Sequence, residues 1–295
     1  MEVTARKSFS STIAEWAEMI KLEHTVFALP FALSGLILAA PGLPHLSVFL
    51  WTVVAFAGAR AAAMTLNRII DSKIDKLNPR TAERAIPAGR IPIQYALVAA
   101  VLAFSVMIGA ASQLPRICLW LSPIAVVWLS IYSFTKRFTW LCHIVLGIAL
   151  GGAALGGWVA ANGSLSEPAP WLLALAVATW VAGFDIIYAL QDVDFDRMQS
   201  LHSIPARFGI KTALLISSLL HVVTVAGLIG VGTVLSLGIL YWLGVLLVAG
   251  MLIYEHRLIT PTDLSKINAA FFNVNGVVSI LTFFIFLTDK IMRHN

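Results

Sequence analysis

The chain alternates long apolar runs with short polar ones. Runs of about 20 mostly apolar residues cross the hydrocarbon core of a bilayer as helices. Such runs fall near residues 25–41, 47–66, 94–112, 117–134, 142–161, 170–190, 212–231, 233–254 and 268–288. The pattern predicts an all-α, polytopic membrane protein of about nine transmembrane helices. The third and fourth spans, and the seventh and eighth, are joined by very short turns, with Pro115 dividing the first pair and Gly230 with Gly232 the second. Residues 1–24 read as an N-terminal cytoplasmic or interfacial segment. Within it Phe9 to Glu23 carries Ile13, Trp16 and Ile20 at helical spacing, which predicts a short amphipathic helix on the membrane surface. The start is polar and mixed in charge up to Lys21, without the pattern of a cleaved leader. Residues 25–295 form a single transmembrane domain.

Composition supports the same reading. Of the 295 residues 59% are hydrophobic and only 12% charged, whereas soluble domains have about 25% charged residues. A chain this apolar needs lipid as solvent over much of its surface. The placement of Lys and Arg then gives orientation. Arg6, Lys7 and Lys21 precede the first span. Arg68, Lys73, Lys76, Arg80, Arg84 and Arg90 lie between the second and third, and Lys136 and Arg137 between the fourth and fifth. Arg197, Arg207 and Lys211 follow the sixth, and Arg257 and Lys266 the eighth. All of these belong to one side; the other has Arg116, Lys290 and Arg293. The N-terminus and long loops are therefore expected in the cytoplasm and the C-terminus outside, in a multi-pass protein of the cell inner membrane. The net charge of +5 is spread over these loops, which argues against nucleic acid as a partner. Cys118 and Cys142 fall near opposite faces, too far apart for a disulfide. No Cys/His cluster suggests zinc or iron–sulfur chemistry.

Two loops on the basic side carry a denser pattern. The first holds Asn67, Asp71 and Asp75, then Asn78-Pro79-Arg80-Thr81, Arg84, Pro87 and Arg90. The second holds Asp185, Tyr188, Gln191, Asp192 and Asp196, then Ser203-Ile204-Pro205-Ala206-Arg207. In each, an apolar span ends in carboxylates four residues apart, and Ile-Pro-Ala with a nearby Arg follows. This is a weak internal repeat, and it divides the chain into two related four-helix halves plus a final helix. Residues at i, i+4 and i+8 share a helix face, so Asn67, Asp71 and Asp75 project together. Asp192 and Asp196 are expected to do the same, with Tyr188 a turn earlier. Stacked carboxylates repel unless a cation compensates them. Mg²⁺ takes hard oxygen ligands and is typically held by one or two carboxylates plus substrate phosphates. Basic groups in the same loops would contact the remaining phosphate oxygens. One such acidic pair is ordinarily just solvated charge; two at matching positions point to metal and diphosphate. Arg60 sits inside the second span on the face of Asn67 and Asp71, and a charge within a span is a functional candidate. Tyr132, Lys136 and Arg137 form a third basic site. It can contact phosphate as well as anchor the helix on the cytoplasmic side.

These residues resemble the UbiA superfamily of membrane prenyltransferases over nearly the whole chain. The resemblance rests on the opening Lys21, His24-Thr25 and Phe27-Ala28-Leu29-Pro30-Phe31, and on Arg60, Asn67, Asp71 and Asp75. It continues through Asn78-Pro79-Arg80-Thr81, Tyr132, Lys136-Arg137, and Asp185, Tyr188, Gln191-Asp192 and Asp196. Within the superfamily the chain is most similar to the 4-hydroxybenzoate polyprenyltransferase group and its menaquinone-pathway relatives. It departs from many members in reading Asn67-Arg68 where they have Asn-Asp.

The resemblance implies nine helices around a central cavity open to lipid. It implies transfer of a polyprenyl group from polyprenyl diphosphate to a small aromatic acceptor in respiratory quinone biosynthesis. Mg²⁺ would be held by Asn67, Asp71, Asp75, Asp192 and Asp196. The catalytic carboxylates would be Asp71, Asp75, Asp185, Asp192 and Asp196. Lys21, Arg60, Arg80, Arg84, Tyr132, Lys136, Arg137, Tyr188 and Gln191 would bind substrate. The base taking the ring proton is left open among Asp185, Asp75 and the released diphosphate. The acceptor is 4-hydroxybenzoate-like or, alternatively, of the dihydroxynaphthoate type. Two rival classes fit less well. CDP-alcohol phosphotransferases need one compact Asp-Gly motif that this chain lacks. Transporters place their sites near the bilayer midplane, not at helix ends.

Overall fold

The computed structural model describes residues 15–20 and 25–294. Its helices are α1 (Thr25–Ala39), α2 (Leu46–Asp75), α3 (Ile93–Ala111), α4 (Arg116–Ile131), α5 (Cys142–Asn162) and α6 (Pro168–Ala189). Then follow the short α7 (Val193–Met198) and α8 (Ile204–Phe208), and α9 (Ile210–Val234), α10 (Ile239–Leu258) and α11 (Asn275–His294). Eight helical stretches are long and apolar enough to cross a membrane, and the apolar part of α1, Ala28–Ala39, is a shorter ninth. No strand forms among the described residues.

The neighbour order is the same in both halves. α1, α2, α3 and α4 pack in sequence, as do α5, α6, α9 and α10. The halves meet where α1 packs on α5, and α11 closes the ring between α10 and α1. The largest core lies here, with Phe31, Trp158, Leu173, Val177, Trp180, Leu228, Tyr241 and Phe286 all buried. Small residues let α1 and α5 come close. A Cβ added at Gly157 would stand 1.8 Å from the Ala32 carbonyl oxygen, and one at Gly35 2.1 Å from that of Ala154. Close approach of this kind is how helices gain packing energy where lipid removes the hydrophobic drive. Facing outward, Leu97, Leu102, Trp120, Ile124 and Leu246 are exposed, an apolar girdle suited to lipid.

Several boundaries differ from expectation. α2 continues nine residues past the expected end, so its last turns carry the first acidic motif. α9 does not break at Gly230 or Gly232 but runs to Val234, and the chain turns through Ser236, whose φ is 49°. Gly232 serves packing instead, because a Cβ there would lie 2.4 Å from the Tyr241 ring. A π-helical turn, Ala269–Val274, leads into α11. The expected amphipathic helix is described only from residue 15. Its Trp16, Met19 and Ile20 pack on the small residues Ala61, Ala62, Ala85, Ala96 and Ala103 of α2, α3 and the intervening loop, filling a groove that alanines leave shallow. Cys118 and Cys142 are free thiols at the starts of α4 and α5.

Candidate functional site

The C-terminal ends of α2 and α6, the turn after α4 and the start of α5 converge on one end of the bundle. The polar side chains they carry interlock across the halves. Helical periodicity through Asp75 keeps Asn67, Asp71 and Asp75 on one face of α2. Asn67 Nδ2 donates to Asp71 Oδ2 at 2.9 Å and reaches Ser133 Oγ at 3.5 Å. Arg137, from the 3₁₀ turn Tyr132–Arg137, meets Asp71 Oδ1 at 3.2 Å and the Ile70 carbonyl at 2.6 Å. One turn on, Asp75 is buried and accepts from Arg84 Nη1 on both oxygens, at 2.8 and 2.7 Å.

The loop after α2 crosses to the other half. Asn78 is buried and donates to Asp192 Oδ1 at 3.1 Å. Arg80 forks onto the same carboxylate, Nε to Oδ1 at 3.0 Å and Nη2 to Oδ2. Its Nη1 donates to the Tyr188 hydroxyl at 2.9 Å, and the guanidinium lies 5.3 Å from the centre of the Tyr188 ring. Burial disfavours the Arg80 charge, but the hydrogen bond and charge of Asp192 outweigh it and raise its pKa. A bidentate guanidinium–carboxylate pair is a strong, directional contact, and here it ties the two acidic motifs together.

These groups rim a cavity of about 390 Å³ that runs down between the helices. Asn67, Asp71, Asp75, Asp185, Asp192, Arg60, Arg80, Arg84, Tyr132, Lys136, Arg137 and Tyr188 all line it. So do Arg68, Asn78, Ser133 and His143, which the sequence reading did not single out as site residues. Below the polar rim the wall is aromatic. Tyr188 and Phe271 have ring centres 4.2 Å apart, Phe271 and Phe184 5.4 Å, Phe184 and Trp180 4.7 Å, and Trp180 and Phe31 4.6 Å. Trp180, Phe184 and Tyr188 recur at i, i+4 and i+8 on α6, a signal that was present in the sequence. Phe31 and Phe271 join from distant helices, which no local spacing reveals.

Three expected placements need correction or restriction. Tyr188, Asp192 and Asp196 do not share a helical face, because α6 ends at Ala189, residues 190–192 form a 3₁₀ turn, and Asp196 belongs to α7. Asp196 is fully buried off the cavity and pairs with Lys136 Nζ at 2.7 Å. Gln191 lies outside the cavity lining; it is exposed and donates to the Tyr188 carbonyl at 3.3 Å. Lys21 lies outside the described residues. Arg68, which departs from the common motif, is buried. It donates to the Met19 carbonyl at 3.3 Å and to Asn67 Oδ1 at 3.4 Å, tying the N-terminal turn to the site.

The donor set suits Mg²⁺ completed by a substrate. Among the described residues no three His, Cys, Asp or Glu side chains gather as a closed metal cage. Asp71 and Asp192 instead reach one cavity from opposite halves, with Asn67 beside them. Oxygen donors of this kind are the type that Mg²⁺ takes together with substrate phosphates.

Residues 28–277 match the UbiA prenyltransferase family. The chain is 28% identical over 283 residues to the 4-hydroxybenzoate octaprenyltransferase of Yersinia enterocolitica serotype O:8 / biotype 1B, covering 95% of this chain and 98% of that one. Its fold is similar to that of a UbiA homologue from Aeropyrum pernix K1 in its apo form. The TM-score is 0.81 and identity 34%, over 92% of this chain and 98% of the homologue. A UbiA homologue from Archaeoglobus fulgidus bound to DMAPP and Mg²⁺ shares the fold with a TM-score of 0.77 at 17% identity, over 94% and 99% of the two chains.

Proposed function

Since the chain belongs to the UbiA prenyltransferase family and is a multi-pass membrane prenyltransferase, we propose that it transfers a polyprenyl group from polyprenyl diphosphate to a 4-hydroxybenzoate-like acceptor in respiratory quinone synthesis. The observation that carries this reading is one cavity with two ends. Cations and carboxylates from both halves rim the first, and aromatic rings in tilted and edge-to-face contact line the second. A diphosphate fits the rim and an allylic tail fits the wall.

Asn67, Asp71 and Asp192 are the groups placed to hold Mg²⁺. Each carboxylate is paired with a cation, Asp71 with Arg137 and Asp192 with Arg80 as much as Asp75 with Arg84 and Asp196 with Lys136. Each would therefore take metal only as that cation moves, and Asp75 and Asp196 are the more deeply buried. Bound Mg²⁺ would neutralise the charge that develops on the diphosphate as it leaves. The chain's own cations do related work. Arg80, Arg84 and Arg137 sit on carboxylates at the rim and Lys136 on the buried Asp196. An arriving diphosphate can draw these cations onto its oxygens, while Mg²⁺ would compensate the rim carboxylates they leave. Tyr188, Phe271, Phe184 and Trp180 line the cavity, where a ring face would stabilise an allylic cation and the apolar wall would keep water from quenching it. The Mg²⁺ and DMAPP bound by the Archaeoglobus homologue and the name of the Yersinia relative support donor and acceptor alike.

A dihydroxynaphthoate-type acceptor is the second reading. Its motive is Arg68, a cation lining the cavity at the place where the family pattern that the chain resembles reads Asp. The test offers purified protein both acceptors with geranyl diphosphate, and follows products by mass spectrometry. Prenylated 4-hydroxybenzoate is the expected product. Prenylated naphthoate alone would move the assignment to the second reading. EDTA should abolish turnover and Mg²⁺ restore it; full activity in EDTA would remove the metal from the mechanism. The inner membrane, with the N-terminus in the cytoplasm, is the proposed location.

A further inference from the structure

We infer that Asp185 is the base that takes the ring proton and that His143 positions it. The inference rests on the reading of the acceptor as aromatic. Four carboxylates line the cavity, and three of them are committed. Asp71 accepts from Asn67 on one oxygen and Arg137 on the other. Both oxygens of Asp75 accept from Arg84, and both oxygens of Asp192 from Arg80. A carboxylate held by a guanidinium favours its charged form and is a poor proton acceptor.

Asp185 differs. Its Oδ2 lies 2.7 Å from His143 Nδ1, and its Oδ1 has no partner among the described residues. The side chain is 24% exposed, toward the cavity that it lines. On α6 it follows Phe184 and precedes Tyr188 by one turn, so it stands between the aromatic wall and the polar rim. It lies seven residues before Asp192, two helical turns or roughly 10 Å from the diphosphate end.

His143 is built to hold that carboxylate. The ring is buried at the start of α5, and its Nε2 accepts the backbone N–H of Ile204 at 3.4 Å. The ring's Nδ1–H is donated to Asp185 Oδ2, since a carboxylate oxygen can only accept. This single hydrogen bond fixes the carboxylate's orientation through Oδ2 and leaves Oδ1 open to the cavity, whereas the other three carboxylates have both oxygens engaged. The residues that achieve this come from α5, α6 and the start of α8, which explains why spacing along the chain gives no sign of it.

The step balances. The prenyl C1–O bond breaks and its electron pair leaves on the diphosphate. A ring π pair forms the new C–C bond. The ring C–H bond then breaks, its pair restores aromaticity, and the proton passes to Asp185 Oδ1 and later to water entering the cavity.

The test uses purified full-length protein with Mg²⁺, geranyl diphosphate and ring-deuterated 4-hydroxybenzoate. In native protein the C–H step should follow a slower ionisation, and the isotope effect should be close to one. Asp185→Asn should lower kcat about 10²-fold or more and bring out a primary isotope effect. His143→Gln, which places its amide where Nε2 was, should cost about 10- to 100-fold, the worth of a hydrogen bond to a charged group, with the same isotope effect. His143→Asn, whose amide can replace Nδ1, should recover most of that loss, which a purely structural role would not predict. Bridge-to-nonbridge ¹⁸O exchange in geranyl diphosphate without acceptor reports ionisation alone and should persist in all three variants. Asp185→Asn with native kcat and no isotope effect overturns the assignment. Loss of ¹⁸O exchange in Asp185→Asn overturns it too, by moving the residue to the diphosphate end. Native protein that exchanges ¹⁸O but prenylates no aromatic acceptor removes the acceptor reading instead, and this inference with it.

Discussion

Asp71 and Asp192 occupy corresponding places in the two halves, yet their surroundings differ. Asp71 is held by Asn67 and Arg137, Asp192 by Arg80 and Asn78. If both hold metal on the leaving diphosphate, Asp71→Asn and Asp192→Asn should each lower kcat by about 10²-fold or more, with acceptor KM little changed. The double variant should lose less than the product of the two, because groups acting as one unit are not additive. Steady-state kinetics on the three variants checks this. Near-normal kcat with raised acceptor KM at either position would assign that carboxylate to the aromatic ring. The carboxylates and cations at this scale were legible because each sits in a short motif with helical spacing. Asn78 was visible as part of a motif, but its bridge to Asp192 spans 114 positions of chain and needed the fold. Asp196 shows the converse limit. Its spacing from Asp192 read as one face, and a 3₁₀ turn three residues long rotated it away.

Two helix contacts carry the element scale. The α1–α5 crossing depends on glycine, and the test is internal. Gly157→Ala drives a Cβ into the Ala32 carbonyl, whereas a Cβ at Gly156 meets nothing within 4 Å. Gly157→Ala should lower stability by about 3 kcal/mol, the upper range for an overpacked core. Gly156→Ala should be tolerated, with thermal unfolding in detergent as the measurement. Equal behaviour of the two would mean that the crossing is looser than drawn. The second contact is the π turn Ala269–Val274, which sets Phe271 against Tyr188. Asn275 closes it, donating to the Ala270 carbonyl at 3.1 Å and to the fully buried Glu255 at 2.7 Å. π-bulges occur frequently at functional sites. Asn275→Ala strands a buried acceptor, at a cost of about 1–3 kcal/mol, and frees the turn that aims Phe271. Both stability and KM for the prenyl diphosphate should suffer; a loss of stability with unchanged KM would detach the turn from substrate binding. Neither contact was readable from sequence. Glycines looked like breakers at Gly230 and Gly232, because propensity alone cannot tell a turn from a close crossing, and the apolar run of α11 concealed the change of winding at its start.

At the scale of the whole molecule, the positive charges had predicted one shared face, and the ion pairs bear that out. Arg80 meets Asp192, Lys136 meets Asp196 and Arg137 meets Asp71, so loops that follow α2, α4 and α6 interlock at one end. At the opposite end Lys290 of α11 reaches the Ala40 carbonyl just past α1. The nine-helix count and the paired halves were legible for the same reason: hydrophobic length and charge asymmetry are properties of whole segments, and they survive errors of several residues at each boundary. Which face meets the cytoplasm rests on the Lys and Arg excess alone, and labelling decides it. In a background with Cys118 and Cys142 replaced by Ala, Leu77→Cys and Glu167→Cys supply exposed thiols at opposite ends of the bundle. Asn78 would be a poor choice for the first, since its amide holds Asp192. In intact cells a membrane-impermeant maleimide should label position 167 and spare position 77, and permeabilised cells should label both. The reverse pattern would put the diphosphate rim outside. A charged diphosphate and a soluble acceptor made in the cytoplasm would then have to cross the bilayer before reaction, and the proposed supply of both substrates from the cytoplasmic side would fail.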